Sequence, residues 1–339
     1  KFGMTLRYVI GPKTGHSYHP DAKREIEQRL SKAIASAPWE NRTSSVFTTW
    51  TLRYASCGPI TLQQLEEHWK PARIQWEKPA ATGPETTPWK TISTSNVAAF
   101  SVEAVVGEPY PETIIIDKET LQLPKPLSDG ALTAHFRKEH GTWQVVDSLD
   151  HGKLRKKPGL QGPIDDAFME SFLIVKPSEK SPHGQVNAWV EAEMNRAIDH
   201  WRRQFRGIPR VKLDKEVTEN DIKNHHLILW GLPASNAVLK KMVHKLPIYW
   251  ADGKIQVNEK GYDADTHVPI FIYPNPLNPS RYVVLNSGFT FREYDYLNNA
   301  RQVPKLPDWA IIDITTPPNS RWPGRVVDAN FFSEQWQWK

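Results

Sequence analysis

The sequence has 339 residues, a length typical of two or three domains and sufficient to bury a core without disulfide bonds. Its single cysteine, Cys57, excludes an intrachain disulfide framework and a cysteine-based zinc site. The net charge of +5 is small, and the basic and acidic residues are mixed along the chain, which argues against a nucleic-acid partner. No apolar run reaches the roughly 18 residues of a membrane helix, so no membrane span is expected.

The first 40 residues predict a strand, a loop and a helix. Met4–Ile10 is rich in β-branched and apolar residues, and the turn-forming residues 11–19 follow it. Pro20 suits the first turn of a helix predicted over Asp21–Ser36, whose apolar face carries Ile26, Leu30, Ala33 and Ile34. Such a unit is too small to have its own core. The chain also begins at Lys1 without Met, so we expect a fragment or a cleavage product of a longer protein.

Residues 45–150 predict a β-rich domain of the sandwich or small-barrel type. Short strands alternate with turns rich in Pro and Gly, and one short helical stretch is predicted over Leu62–Trp69. The predicted strands lie within 46–54, 72–76, 97–106, 113–116, 132–136 and 143–146. A basic connector, His151–Pro163, then leads to the last domain.

Residues 160–339 predict an α/β domain, because apolar strands alternate with helical segments. We expect a flavodoxin-like, three-layer arrangement with a mostly parallel sheet. The predicted strands are 172–175, 210–213, 226–230, 270–273, 282–286 and 310–314, and the predicted helices are 184–206, 219–224, 235–244 and 291–300.

The loop Gly15-His16-Ser17-Tyr18-His19 is the sharpest candidate for catalysis. A histidine on a loop between a strand and a helix can reach over the strand ends as a general base. A polar loop carrying two exposed histidines is the simpler explanation from the residues alone. Together with the strand before it and the helix behind it, this loop resembles the end of a prolyl-oligopeptidase-family α/β-hydrolase domain. The resemblance covers about the first 36 residues and implies that His16, rather than His19, is the catalytic base.

Three later segments resemble accessory regions of large bacterial proteins of this kind: Phe47–Tyr54, Gly159–Phe168, and Tyr273–Pro279 with Val283–Gly288. In this family the chain order is serine, acid, histidine, yet no Gly-x-Ser-x-Gly motif occurs in the 339 residues. The resemblance therefore implies a bacterial serine hydrolase, an esterase or peptidase, whose serine and aspartate lie on an upstream segment or a separate chain. The substrate would be an ester, a peptide or a glycan, and a periplasmic or secreted location fits. No cofactor is expected.

Two polar clusters have alternative explanations. Ser235 and Asn236 follow a strand and Gly231, where they could bind an anion, although capping of the next helix is the simpler role. Asp165 and Asp166 could bind a cation or pair with a lysine at 156 or 157, but we expect an exposed turn with a capping role.

The tryptophans and histidines support weaker hypotheses. Trp69, Trp76 and Trp89 are candidates for a glycan-binding surface, whereas Trp189 and Trp201 are expected in the core and Trp336 and Trp338 are expected to dock the tail. No His and Asp grouping has a strong metal-ligand spacing, so no metal is expected. The alternative function is a non-catalytic module that binds polysaccharide or protein, and a nucleotide- or flavin-dependent enzyme over 167–339 ranks below both.

Overall fold

The computed structural model describes residues 8–35, 44–77, 90–104, 112–128, 131–150, 152–251 and 253–339. Helix α1 spans Pro20–Ala35, so the predicted helix is confirmed and Pro20 is its first residue, where the missing N–H costs no hydrogen bond. Most of the predicted strand Met4–Ile10 lies outside the described residues, and Tyr8–Ile10 are not in a strand.

Ten described strands then build two sheets that share one core. In the first sheet the order is β1-β4-β5-β7-β8, and in the second it is β10-β9-β6-β3-β2. Apolar side chains of both sheets form a single buried cluster that includes Ile74, Trp76, Phe100 and Trp143. The strands are β1 Ser44–Thr49, β2 Ser56–Cys57, β3 Ile60–Leu65, β4 Ala72–Glu77, β5 Thr91–Ser95, β6 Val97–Ala104, β7 Thr113–Ile116, β8 Glu119–Gln122, β9 Leu132–Glu139 and β10 Thr142–Val146.

The predicted helical stretch Leu62–Trp69 is wrong, because its first half belongs to strand β3. Leu62 and Leu65 are both fully buried, although a spacing of three residues is typical of one helix face. The pairing of β3 with β6 shifts register at Gln64, and a bulge of this kind returns a side chain to the same face after three residues. The bulge therefore produced a helical pattern within a strand.

The C-terminal half is a mixed α/β unit with many strands and few helices. Its helices are α2 Gly184–Phe205, α3 Glu219–Asn224 and α4 Ala237–Met242, and its strands are β11 Phe172–Lys176, β12 Arg210–Leu213, β13 His226–Leu229, β14 Ile248–Ala251, β15 Lys254–Val257, β16 Lys260–Asp263, β17 His267–Asn275, β18 Asn278–Leu285, β19 Trp309–Asp313 and β20 Arg325–Asn330. The predicted helix 291–300 forms two short 3-10 helices, Glu293–Leu297 and Asn299–Arg301.

The large sheet of this half is less parallel than we expected. Its order is β12-β11-β13-β18-β17-β19-β20, and β12, β11, β13 and β18 run parallel, but each pairing from β18 to β20 is antiparallel. Only Pro276 and Leu277 separate β17 from β18. So short a turn can join antiparallel strands, whereas a parallel pair needs a long crossover. A second, three-stranded antiparallel sheet contains β14, β15 and β16.

The C-terminal tail connects the two halves of the chain. Glu334 accepts two hydrogen bonds from His68, at 2.9 Å from the backbone N and 2.6 Å from Nδ1. The Nε2 atom of His68 accepts from the backbone N–H of Leu52, so the ring is assigned the neutral tautomer with its proton on Nδ1. Trp336 is buried against Tyr273 and Tyr282, which confirms that it docks the tail.

Candidate functional site

His19 is the N-cap of helix α1. Its Nδ1 atom accepts a hydrogen bond from the backbone N–H of Asp21, and its carbonyl accepts the helical bond from Lys23 at 2.8 Å. A side chain that accepts from the second residue of a helix satisfies one of the helix's unpaired N–H groups. The ring of His19 is therefore engaged in holding the start of the helix.

His16 has a different environment three residues earlier. Its side chain is exposed and makes no hydrogen bond or ion pair within the described part of the chain. The loop before it is closed by a hydrogen bond of 2.7 Å from the hydroxyl of Thr14 to the carbonyl of Gly11. A Cβ atom added at Gly15 would meet nothing within 4 Å, so the space beside His16 is open. The ring of His16 is therefore open to solvent in the described structure.

Apolar side chains surround this loop without being covered. Tyr8 and Ile10 before it and Tyr18 within it are largely exposed, and along α1 Leu30 and Ile34 are 57% and 84% exposed. The only buried residue of α1 is Ala22. Large apolar side chains that remain exposed on a helix are candidates for an interface with another protein segment. Leu30 and Ile34 of the predicted apolar face are thus mainly exposed in the described part of the chain.

Asp165 and Asp166 are not on an exposed turn, and that prediction is wrong. Both are buried within a short 3-10 helix, Ile164–Phe168, in which every residue is buried. Thr290 donates from its backbone N–H and its hydroxyl to Asp165, and Tyr282 donates to Asp166 at 2.8 Å. The signal that was missed is apolar: Ile164, Ala167 and Phe168 flank the pair and belong to the core.

Burial also changes the acidity of these two carboxyls. It raises the pKa of Asp165 to about 7, although the hydrogen bonds from Thr290 oppose the rise. Burial raises the pKa of Asp166 to about 6, while the bond from Tyr282 and the charge of Arg53, 3.5 Å away, lower it. Neither aspartate contacts a lysine at 156 or 157. Through Arg53, Asp166 joins the two halves of the chain, and both aspartates are remote in sequence from the His16 loop.

The loop after β13 caps a helix, as predicted. The side chain of Asn236 accepts hydrogen bonds from the backbone N–H groups of Val238 and Leu239, at 3.0 and 3.1 Å. Ser235 instead bonds to the backbone of Leu232. Gly231 has a φ of +103°, and a Cβ atom there would lie 2.6 Å from the hydroxyl oxygen of Ser235. The loop is therefore held by its own side chains.

A cleft of about 300 Å³ lies between this loop and the residues that follow β11. The connection from β11 leads to β12 on one side, while β13 lies on the other, so the cleft is at the point where the strand order reverses. Ligands of open α/β sheets bind at such positions. Its walls contain Lys176, Lys180, Glu179 and Glu191, whose charges balance.

The three tryptophans of the predicted glycan surface do not share one environment in the structure. Trp76 is buried in the core between the two five-stranded sheets, so its assignment to a surface is wrong. Trp89 lies outside the described residues. Trp69 is 39% exposed, yet its ring packs on Phe331 with centroids 5.6 Å apart. Trp189 is buried and Trp201 packs on the same core, as predicted.

Among the described residues, no three His, Cys, Asp or Glu side chains group in a way that could hold a metal ion. No helix in the described parts of the chain is long and apolar enough to span a membrane. Comparison with family models, curated proteins and solved structures found no match.

Proposed function

We propose that residues 8–35 supply the catalytic histidine of a serine hydrolase of the prolyl-oligopeptidase type, acting on an ester or a peptide. His16 is the general base, and the serine and the aspartate come from a hydrolase segment that packs on α1. The proposal includes the arrangement of the rest of the chain: residues 45–150 form a sandwich-like domain and 160–339 a flavodoxin-like α/β domain, both accessory to the reaction.

The contrast between the two histidines of the loop carries the proposal. His19 spends its Nδ1 acceptor on the backbone of Asp21, whereas His16 is exposed and uses neither ring nitrogen within the described residues. A general base must have a free nitrogen within hydrogen-bond reach of the serine hydroxyl, and its other nitrogen must be oriented by an acid. Because Nδ1 of His19 accepts this bond, the proton of its neutral ring lies on Nε2, so only His16 keeps an uncommitted basic nitrogen.

The exposed apolar side chains support the part of the proposal in which a hydrolase segment packs on α1. Leu30 and Ile34 face outward along α1, and Tyr18 lies beside His16. A segment that buried these side chains would remove several hundred Å² of apolar surface from water, at about 25 cal/mol per Å². It would also bring its own residues next to His16. The segment would thus cover Tyr18 in the loop and Leu30 and Ile34 further along α1.

The chemistry of such a site follows from the geometry of a histidine base. The ring of His16 takes the proton of the serine hydroxyl as the oxygen attacks the carbonyl, and it then donates that proton to the leaving group. Water repeats the sequence and releases the acyl group. An exposed ring on a loop has the freedom of approach that these two proton transfers require.

Labelling with a serine-reactive phosphonate tests the proposal on the native protein with everything that co-purifies with it. We expect a labelled serine outside the 339 residues, and we expect His16→Ala to lower the labelling rate by at least 100-fold. His19→Asn is the matched control, because asparagine keeps a side-chain acceptor for the N–H of Asp21 and should leave labelling unchanged. Full labelling of His16→Ala, or its loss in His19→Asn alone, would refute the assignment.

A second candidate function is a non-catalytic module that binds polysaccharide or protein. The observation in its favour is a pair of partly exposed aromatic rings, Trp50 and Trp69, whose backbones are joined by a hydrogen bond of 2.9 Å. Flat aromatic faces suit the apolar face of a sugar ring. A glycan array with the intact chain distinguishes the two functions: specific glycan binding that is lost in Trp50→Ala, without serine labelling in the preparation, favours this one.

A further inference from the structure

A second and larger cleft, of about 630 Å³, lies in the C-terminal half away from the strand ends described above. One group of lining residues belongs to the connector, at positions 150, 152–155, 157 and 160, and the other lies between Tyr273 and Ser280, where a turn joins β17 to β18. Lys245 closes one side. The basic connector seen in the sequence is thus folded against a cavity.

The walls of this cleft are strongly basic. Lys153, Arg155, Lys157 and Lys245 line it, and Asp150 is the single carboxylate among the lining residues. Arg155 is half-buried, and one of its nitrogens donates to the carbonyl of Gln63 at 2.9 Å. A cluster of cations on a partly enclosed wall creates a positive potential that attracts and retains anions.

The neighbouring lysine of the connector shows that this basic wall is not simply a consequence of a basic sequence. Lys156 is fully buried and donates to Asp308 at 2.6 Å, so it is neutralised inside the protein and does not line the cleft. Lys157, next in the chain, is half-buried and lines the cleft. The connector therefore places Lys156 in the core and Lys157 at the cleft.

Asn275 provides an independent indication of a ligand. It lines the cleft and is fully buried, and its Oδ1 atom accepts from the backbone N–H of Leu277 at 2.9 Å. Its Nδ2 atom has no hydrogen-bond partner in the described structure. A buried donor without a partner is costly, and such groups are enriched where an ion, a water or a ligand completes the bonding.

We propose that this cleft binds a small molecule that carries an oxyanion, that is, a sulfate, phosphate or carboxylate group. Its volume lies within the range of pockets that enclose sugar-sized ligands. The cations hold the charged group, and Asn275 donates to one of its oxygens. Tyr273 and Pro274 supply an apolar surface for the body of the ligand. The proposal is independent of the hydrolase assignment of His16.

Isothermal titration of the intact chain with four probes tests this site: sodium sulfate, sodium phosphate, glucuronate and, as a neutral control, glucose. We expect saturable binding of at least one oxyanion, no binding of glucose, and weaker binding as sodium chloride is raised. Which oxyanion binds best identifies the charged group of the natural ligand. Absence of saturable binding for all three anions would overturn the proposal.

Substitutions then locate the binding. Lys157→Gln and Lys245→Gln should each weaken binding of the best anion by about tenfold, the loss typical of one charge-assisted hydrogen bond. Lys254→Gln makes the same change of net charge on an exposed residue that does not line the cleft, and it should leave the affinity unchanged. Equal weakening by Lys254→Gln would show a general charge effect and would refute the site.

Asn275→Asp provides a variant that keeps the acceptor for Leu277 and replaces the unpaired donor with negative charge. We expect this change to abolish anion binding. Unfolding curves of each variant confirm that the fold is retained, and retained binding in a folded Asn275→Asp protein would contradict the role of Asn275.

Discussion

The buried ion pair between Lys156 and Asp308 offers the sharpest test of how the C-terminal half is held together. Both side chains are fully buried, and their charged atoms lie 2.6 Å apart. The same carboxylate oxygen accepts from the backbone N–H of Phe332 at 2.9 Å, and the ammonium lies 5.1 Å from the ring centre of Trp336. The pair therefore connects the connector, β19 and the C-terminal tail.

Lys156→Met removes the charge and shortens the unbranched side chain by one atom. At 2.6 Å and an effective dielectric constant of about 20, the lost attraction is roughly 6 kcal/mol, and the cost of burying the ammonium offsets part of it. We expect a net loss of about 3 to 5 kcal/mol, because Asp308 is left as an uncompensated buried charge. This is a large share of the stability of an ordinary domain. Lys157→Met, a half-buried neighbour, should cost less than about 1 kcal/mol.

Urea unfolding at pH 7 measures these differences in the free energy of unfolding. The double variant Lys156→Met with Asp308→Asn completes a double-mutant cycle. Asparagine keeps an acceptor for Phe332 and removes the stranded charge, so the double variant should recover most of the loss. Burial already raises the pKa of Asp308 against the opposing charge of Lys156, so the cost of Lys156→Met should grow as the pH rises above 3.8. The reasoning would be refuted if Lys156→Met lowered the free energy of unfolding by less than about 1 kcal/mol, or if the double variant were less stable than the single one.

Three further outcomes test other parts of the structure. Burial raises the pKa of Asp165 to about 7, so the stability that depends on its protonated carboxyl is present below pH 3.8 and is lost as the pH rises through 7. Asp165→Asn should therefore gain stability relative to the wild type between pH 5 and 8. An unfolding difference that does not change with pH would contradict this expectation. Gly231→Ala should cost about 2 to 3 kcal/mol in urea unfolding, because of its positive φ and the close hydroxyl of Ser235, and a neutral effect would show that the loop relaxes. His68→Ala should lower the unfolding free energy by about 2 to 3 kcal/mol. Glu334→Gln should lower it by less, since the amide oxygen still accepts one of the two bonds from His68, and the reverse order would contradict the assigned contacts.

The sequence predicted elements best where one periodicity dominates. Helix α2, with apolar residues at helical spacing, and the short strand β12 were predicted within a residue of their bounds. Strand β3 was not, because a bulge at Gln64 places Leu62 and Leu65 on one face. A bulge depends on the partner strand, which local sequence does not contain.

The candidate sites differ in the same way, between features that local sequence contains and features that depend on distant residues. His16 was singled out through the resemblance of its loop to a hydrolase family, and its exposure in the structure does not test that role. Burial of Asp165 could not be found, because adjacent aspartates after a Gly-Pro pair are typical of an exposed turn. The hydrogen bond that offsets the burial of Asp165 comes from Thr290, 125 residues further along the chain. The basic cleft is likewise assembled from two distant segments and Lys245.

The C-terminal tail has a consequence for how this chain can be divided. Phe331 packs on Trp69, Glu334 accepts from His68, and Arg155 donates to the carbonyl of Gln63. A cut near residue 150 would leave each half with buried polar groups whose partners are on the other piece. The two halves are therefore poor candidates for separate expression, and a swap of either one between related chains would have to carry its matching end of these contacts.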